Sequence, residues 1–215
     1  MSSVKCQVKA KALELLVATK NKKKLEEIKE ILKGLDLKIT SLADYQDMPE
    51  IVEDGETFAQ NAVKKAATIA LFTKKLVMGE DSGLEVGILR NRPGVYSARY
   101  SGPSATDKKN NLKLLRELKG VPASKRKARY QCAAALADGK RLIGVVTGNC
   151  SGVIGEKPRG SFGFGYDPLF VVEKYDKTFA ELGPDIKHKM SHRYKALKKL
   201  RGLMAVYLKR SRRPS

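Results

Sequence analysis

No run of eighteen apolar residues occurs in this 215-residue chain, which leaves no candidate for a membrane-spanning helix. The opening stretch MSSVKCQVKAKALEL lacks the apolar central region of a secretory signal, so a cytoplasmic protein is expected. Cysteine is scarce. Cys6, Cys132 and Cys150 form no C-x-x-C pair and no metal-type spacing. The apolar settings of Cys132 and Cys150 read as inert core thiols in a reducing compartment. The phosphate-loop pattern G-x-x-x-x-G-K-[S/T] is absent, as are internal repeats and low-complexity linkers. Acidic residues are outnumbered, 23 Asp and Glu against 43 Lys and Arg, for a net charge of +20. That balance suits a polyanionic partner or substrate, although a lysine-rich composition gives the same sum.

What is present suffices for a substantial core: 42% of the chain is hydrophobic. Residues 1–12 read as a loose extension, 13–208 as one large domain or two small lobes, and 209–215 as a basic tail. The apolar run Leu15–Ala18 marks a strand over Glu14–Thr19 that is buried on both faces. Helical spacing follows in Leu25, Ile28, Ile31 and Leu32 over Asn21–Lys33, with Gly34 beyond the end. Further strands are expected at Leu37–Leu42, Lys75–Met78 and Leu169–Val172, and helices at Thr57–Phe72, Thr106–Leu118 and Ser191–Leu208. Arg129–Ala137 and Arg141–Cys150 pair across Asp138-Gly139. The fold class is therefore α/β with a mixed sheet.

Four stretches could carry chemistry. ATKNKKKLEE (18–27) runs from a strand into a helix start, where backbone N–H groups bind phosphate and Lys22, Lys23 and Lys24 add charge. A solvated lysine-rich first turn is the alternative. Glu50, Glu53 and Asp54 precede a helix, and Glu80-Asp81 follows a strand, with Asp81–Gly83 read as a tight turn. Carboxylates from two segments can hold Mg²⁺; helix capping and turn chemistry explain each alone. SFGFGYDPLF (161–170) alternates glycine with aromatics, an arrangement that lets backbone and an aromatic face approach a flat ring. In KHKMSHRYKAL (187–197), Lys187, His192 and Arg193 sit at a helix start and suit a keto oxygen or phosphate.

VATKNKKKLEE, EDGETFAQNAVKKA, EDSGLEV, RPGVYSARYSG, FGFGYDPLF and SHRYKAL follow one another from about Leu15 to Leu200. Together they resemble the inosine/xanthosine triphosphate pyrophosphatases, which cleave deaminated purine nucleoside triphosphates. The resemblance implies an elongated mixed sheet with flanking helices in two lobes around a central cleft, a homodimer and Mg²⁺. It places Thr19, Asn21 and Lys24 in a triphosphate loop, with Lys20, Lys22 and Lys23 within it. It makes Glu53 and Asp81 magnesium ligands, Asp81 also the base that activates water, Ser82 a substrate contact, and Lys65 a partner of the carboxylates or phosphates. It assigns Phe164, Gly165, Tyr166 and Asp167 to a base-binding loop, and Lys187, His192 and Arg193 to purine recognition. Glu80 stands where that family often has Asp, and Arg90-Asn91 where two glycines are common, so that loop is expected to be stiffer.

The expected activity is conversion of ITP, dITP or XTP to the monophosphate and pyrophosphate, with no membrane and no requirement for nucleic acid. A basic nucleic-acid-binding protein is the rival of another class, but the basic residues form no single stripe and no nucleic-acid module is visible. A pyrophosphatase for modified pyrimidine nucleotides is the nearer rival.

Overall fold

The computed structural model describes residues 13–211. The expected extension 1–12, Cys6 included, and residues 212–215 of the expected tail lie outside the described residues. Eight strands form one mixed sheet: β1 (Leu13–Val17), β2 (Leu37–Ser41), β3 (Leu76–Val86), β4 (Arg92–Pro93), β5 (Lys127–Asp138), β6 (Arg141–Ile154), β7 (Phe170–Val172) and β8 (Lys177–Thr178). The order is β2-β1-β3-β5-β6-β7-β8, with β4 paired to β3. β1 is parallel to β2 and β3, and the other pairings are antiparallel. Five helices flank it: α1 (Lys22–Leu32), α2 (Phe58–Thr73), α3 (Asp107–Glu117), α4 (Phe179–Met190) and α5 (His192–Ser211).

The alternation of side chains along a strand divides the core. From β1, Leu15 and Val17 join Ile28, Leu197 and Leu200 under α1 and α5. Leu16 and Ala18 join Phe58, Ala62, Ala66 and Ile69 under α2. A third cluster, with Leu84, Leu114, Tyr130, Phe170 and Phe179, fills the end of the sheet beneath α3 and α4.

Thr57 caps α2, accepting from the Gln60 amide. The helix faces only alanines on β5, Ala133, Ala135 and Ala137, and so approaches closely. At Gly79 a Cβ would lie 2.1 Å from Ala62 O, so helix backbone rests directly on β3. Ile69 fills the remaining space, and truncating it to Ala costs roughly 2–5 kcal/mol.

Most expected elements are present within a few residues of their bounds. Three differ. The turn expected at Asp81–Gly83 is strand: β3 runs unbroken for 11 residues because β5 pairs with it from Leu76 to Val86. Sheet pairing overrides the local turn preference of Asp-Ser-Gly. Lys187 is not at a helix start but in the last turn of α4, a helix kinked at Gly183-Pro184 and absent from the sequence reading. Helix α5 continues three residues past Leu208, into the stretch expected as tail. Arg90 and Asn91 both hold positive φ, 56° and 62°, a backbone that glycines adopt freely.

Candidate active site

Strand β3 sets the geometry. Successive side chains point to opposite faces, so neighbours Glu80 and Asp81 part company. Glu80 and Ser82 face α1 and α5; Asp81 faces α2. Their mutual repulsion is reduced, because Glu80 contacts Arg193 and Lys24 while Asp81 contacts Lys65.

On the α5 side, Glu80 is buried. Its Oε1 accepts from Arg193 Nε (3.3 Å) and Nη2 (3.2 Å) and from Cys132 Sγ (3.3 Å). Its Oε2 lies 2.9 Å from Lys24 Nζ, an ion pair without hydrogen-bond alignment. Ser82 Oγ also accepts from Arg193, at 3.0 Å. Arg193 reaches on to Glu27, Glu27 to Lys187 at 2.8 Å, and Lys187 to Asp167 at 2.7 Å. The result is a buried chain of alternating sign, Asp167–Lys187–Glu27–Arg193–Glu80–Lys24, with three charges of each kind. Burial opposes ionisation of Glu80, yet Arg193, Lys24 and Lys65 hold it well below the usual carboxylate range. Glu27 is likewise lowered: burial disfavours its charge, and Arg193 and Lys187 outweigh that.

On the α2 side, Asp81 Oδ2 accepts from Asn61 Nδ2 (3.1 Å) and Oδ1 from Lys65 Nζ (3.3 Å). Lys65 also holds Glu53 at 2.8 Å. Burial, with Glu80 and Glu53 nearby, raises Asp81 above the ordinary 3.8 against the pull of Lys65 and Lys24. Two carboxylates share one ammonium here, so this group carries one negative charge in excess. Such hard oxygen donors suit Mg²⁺, which needs only one or two carboxylates when phosphates and waters complete its shell. No group of three or more acidic, His or Cys side chains forms a self-sufficient metal cage among the described residues.

The opposite wall is a strand-to-helix corner. Asn21 caps α1, its Oδ1 accepting from the Lys24 amide at 3.1 Å, while its own amide donates to Thr19 Oγ1. No acidic residue lies in the first turn of α1, so no carboxylate of the turn itself offsets the positive end of the helix, and Lys20 and Lys24 line the cavity beside it. The far end is closed by residues 161–169. Phe164 donates its amide to Asp167 Oδ2 (2.9 Å), and its ring meets Lys187 Nζ at 4.7 Å. His192 stacks on Tyr130, ring centroids 4.6 Å apart and 8° from parallel. Burial, with Arg193 and Lys187 beside it, pushes the imidazole well below its ordinary value, so it is neutral. Its Nδ1 is buried without a hydrogen-bond partner.

These walls enclose a cavity of about 810 Å³. Of the side chains expected from sequence, Thr19, Lys20, Asn21, Lys24, Glu53, Lys65, Asp81 and Ser82 line it, as do Phe164 to Asp167, Lys187, His192 and Arg193. Lys22 and Lys23 do not; both are exposed on the outer face of α1. Sequence reasoning missed Glu27, Asn61 and Tyr130. Glu27 left a trace: with Lys24 and Ile31 it falls on the buried stripe of α1, where an unpaired charge has no place.

A mixed-sheet α/β protein with a buried neutral ion chain, an acidic pair and an amide-rich helix start around one cavity has the layout of an enzyme that takes an anionic substrate. The chain belongs to the Ham1 family, which it matches over residues 15–203. It is 48% identical over 187 residues to the dITP/XTP pyrophosphatase of Desulforamulus reducens, covering 87% of this chain and 93% of the relative. It is 47% identical over 191 residues to the dITP/XTP pyrophosphatase of Bacillus subtilis, covering 89% and 96%. The solved structure of a HAM1 protein from Coxiella burnetii superposes with a TM-score of 0.82 at 37% identity, covering 90% of this chain and 98% of that one.

Proposed function

We infer that this protein hydrolyses deaminated purine nucleoside triphosphates, ITP, dITP and XTP, to the nucleoside monophosphate and pyrophosphate. The observation that carries the reading is the placement of Asp81. It lies on a rigid strand between Lys65 and Asn61, facing a cavity whose walls offer a phosphate corner on one side and an aromatic loop on the other. Thr19, Lys20, Asn21, Lys24 and the amides opening α1 hold the triphosphate. Water adds to one phosphorus of the α–β anhydride, the bridging P–O bond breaks, and Asp81 accepts the water's proton. Lys65 positions Asp81 and Glu53. Mg²⁺ held by Glu53 and Asp81 would offset phosphate charge and lower the pKa of a bound water.

Phe164 offers a face on which the base stacks, with Tyr166 and Asp167 shaping its loop. Lys187, His192 and Arg193 all line the cavity, and His192 is the one of the three not committed to a carboxylate. A site matched to a 6-keto group leaves a buried polar group unpaired when an amino group replaces it, which disfavours ATP. The homodimer, the cytoplasmic setting and the single domain over 13–208 belong to the same proposal. Among the described residues no helix is long and apolar enough to cross a membrane.

Pyrophosphate release measured across ITP, dITP, XTP, ATP, GTP and modified pyrimidine triphosphates tests the reading. Preference for the deaminated purines is expected. Equal turnover of ATP, or preference for a pyrimidine, overturns it.

A further inference from the structure

Helix α3 lies outside the phosphate corner and the acidic pair, yet it grips the aromatic loop at one residue. Asp107 and Asn111 stand one turn apart and so share a helix face. Asp107 Oδ2 accepts from Gly165 N at 2.8 Å, and Asn111 Nδ2 donates to Gly165 O at 2.8 Å. Both backbone polar groups of Gly165 are thus held by side chains of a single helix. Gly165 has φ +64°, a left-handed conformation that leaves the backbone open to such lateral approach. Asn111 Oδ1 is buried and has no hydrogen-bond partner, so its bond to Gly165 alone orients the amide. The helix is itself a firm mount. Asn110 accepts from Ser101 N and donates to Ser97 O and Ala98 O. Tyr166, next to Gly165, donates to the same Ser97 carbonyl at 2.9 Å, and Leu114 anchors α3 in the core.

Phe164 immediately precedes the gripped residue. Lys187 and Arg193 meet its ring, and Asp167 holds its backbone from inside the loop, accepting from the Phe164 amide and donating its own amide to the Phe164 carbonyl. The clip ties that loop to α3. We propose that Asp107 and Asn111 are positioning residues that set the plane of the base platform at Phe164, and through it the discrimination between bases, without touching the reacting phosphates. The inference rests on the reading of Phe164–Asp167 as the base-binding loop. A displaced platform loses base contacts that are shared by the ground and transition states, so the effect falls on KM and selectivity rather than on kcat.

The test compares Asp107→Ala, Asp107→Asn and Asn111→Ala with wild type. Readouts are kcat and KM for ITP, the ITP-to-ATP ratio of kcat/KM, and exchange of the Gly165 amide by NMR. Both Ala variants are expected to raise KM about tenfold, hold kcat within about threefold and erode the ratio. In Asp107→Ala the Gly165 amide should also exchange faster. Asp107→Asn keeps an accepting oxygen and should stay within about threefold of wild type in KM, a rescue that a requirement for charge would not give. Asp107 is exposed, so its variants fold even if Asn111→Ala does not. An unmoved KM and ratio in Asp107→Ala, or equal damage in Asp107→Asn, would overturn the assignment while wild-type preference for ITP stands. A wild-type protein that does not prefer ITP overturns the functional reading beneath it.

Discussion

Replacing Asp81 by Asn, and separately Glu80 by Gln, pits chemistry against architecture at two adjacent residues. Asp81→Asn keeps the volume but loses charge and basicity. Its side-chain oxygen can still accept from either Lys65 or Asn61, while its new NH₂ faces the other donor. Asn61 cannot turn over without releasing Gly55 N, held by its Oδ1 at 2.8 Å, and Lys65 retains Glu53. One unmatched buried donor costs about 1–3 kcal/mol, offset by removal of a carboxylate whose burial disfavours its charge. The net change in stability should be about 1 kcal/mol, a Tm shift of about 2–4 °C for a chain of this size. Loss of the base should lower kcat for ITP at least about a hundredfold. Glu80→Gln reverses the pattern. Glu80 joins Arg193 and Lys24 in a closed environment, and breaking a buried ion pair costs roughly 3–5 kcal/mol, or about 6–20 °C in Tm. Its kcat at a temperature where it stays folded should fall less than that of Asp81→Asn. Differential scanning fluorimetry and steady-state assays on both proteins decide. Near-normal turnover in Asp81→Asn refutes its role as base; an unshifted Tm in Glu80→Gln refutes the ion chain as a structural element.

Three further outcomes are expected. Lys24→Ala should lower kcat/KM at least about tenfold, about 1.4 kcal/mol, for ITP and XTP alike, since phosphate is common to both; an altered ratio between them would contradict a phosphate role. Excess chelator should abolish pyrophosphate release and added Mg²⁺ restore it, and full activity in chelator would exclude the metal. Glu14, held by Tyr45 and Lys75, is lowered from 4.5 to about 2, so its stabilising effect is complete above about 4.5 and is lost as pH falls toward 2. Glu14→Gln should therefore melt below wild type at pH 7 by about 1 kcal/mol, the scale of a partly exposed pair. The gap should close between pH 4.5 and 2 in thermal melts.

The sequence made the frame legible where patterns are local. The doubly apolar run Leu15–Ala18 announced a strand buried on both faces, and Thr106 marked a helix start by its hydroxyl. The site's residue types were legible as well, because lysines at a helix start and carboxylates after an apolar run are chemically conspicuous. What could not be read was which face each residue would occupy. Asp-Ser-Gly favours a turn in isolation, and only the length of β5 makes it strand. The kinked helix carrying Lys187 was hidden by Gly183-Pro184, which breaks the helical pattern. Glu27 looked like one more charge on a polar helix until Arg193, distant in sequence, reached it.

The pairing of β3 with β5 has a consequence for tolerance to change. Roles at Glu80 and Asp81 are assigned by parity: even positions look toward α5, odd positions toward α2. Inserting one residue between Leu76 and Gly79 would leave the composition almost unchanged but bring a side chain to the place of Gly79, where a Cβ meets Ala62 O at 2.1 Å. It would also exchange the faces of the two carboxylates, placing a glutamate under Asn61 and Lys65 and an aspartate beside Arg193. The sheet therefore acts as an index, and such a frame slip should silence the enzyme and loosen the packing of α2 on the sheet together.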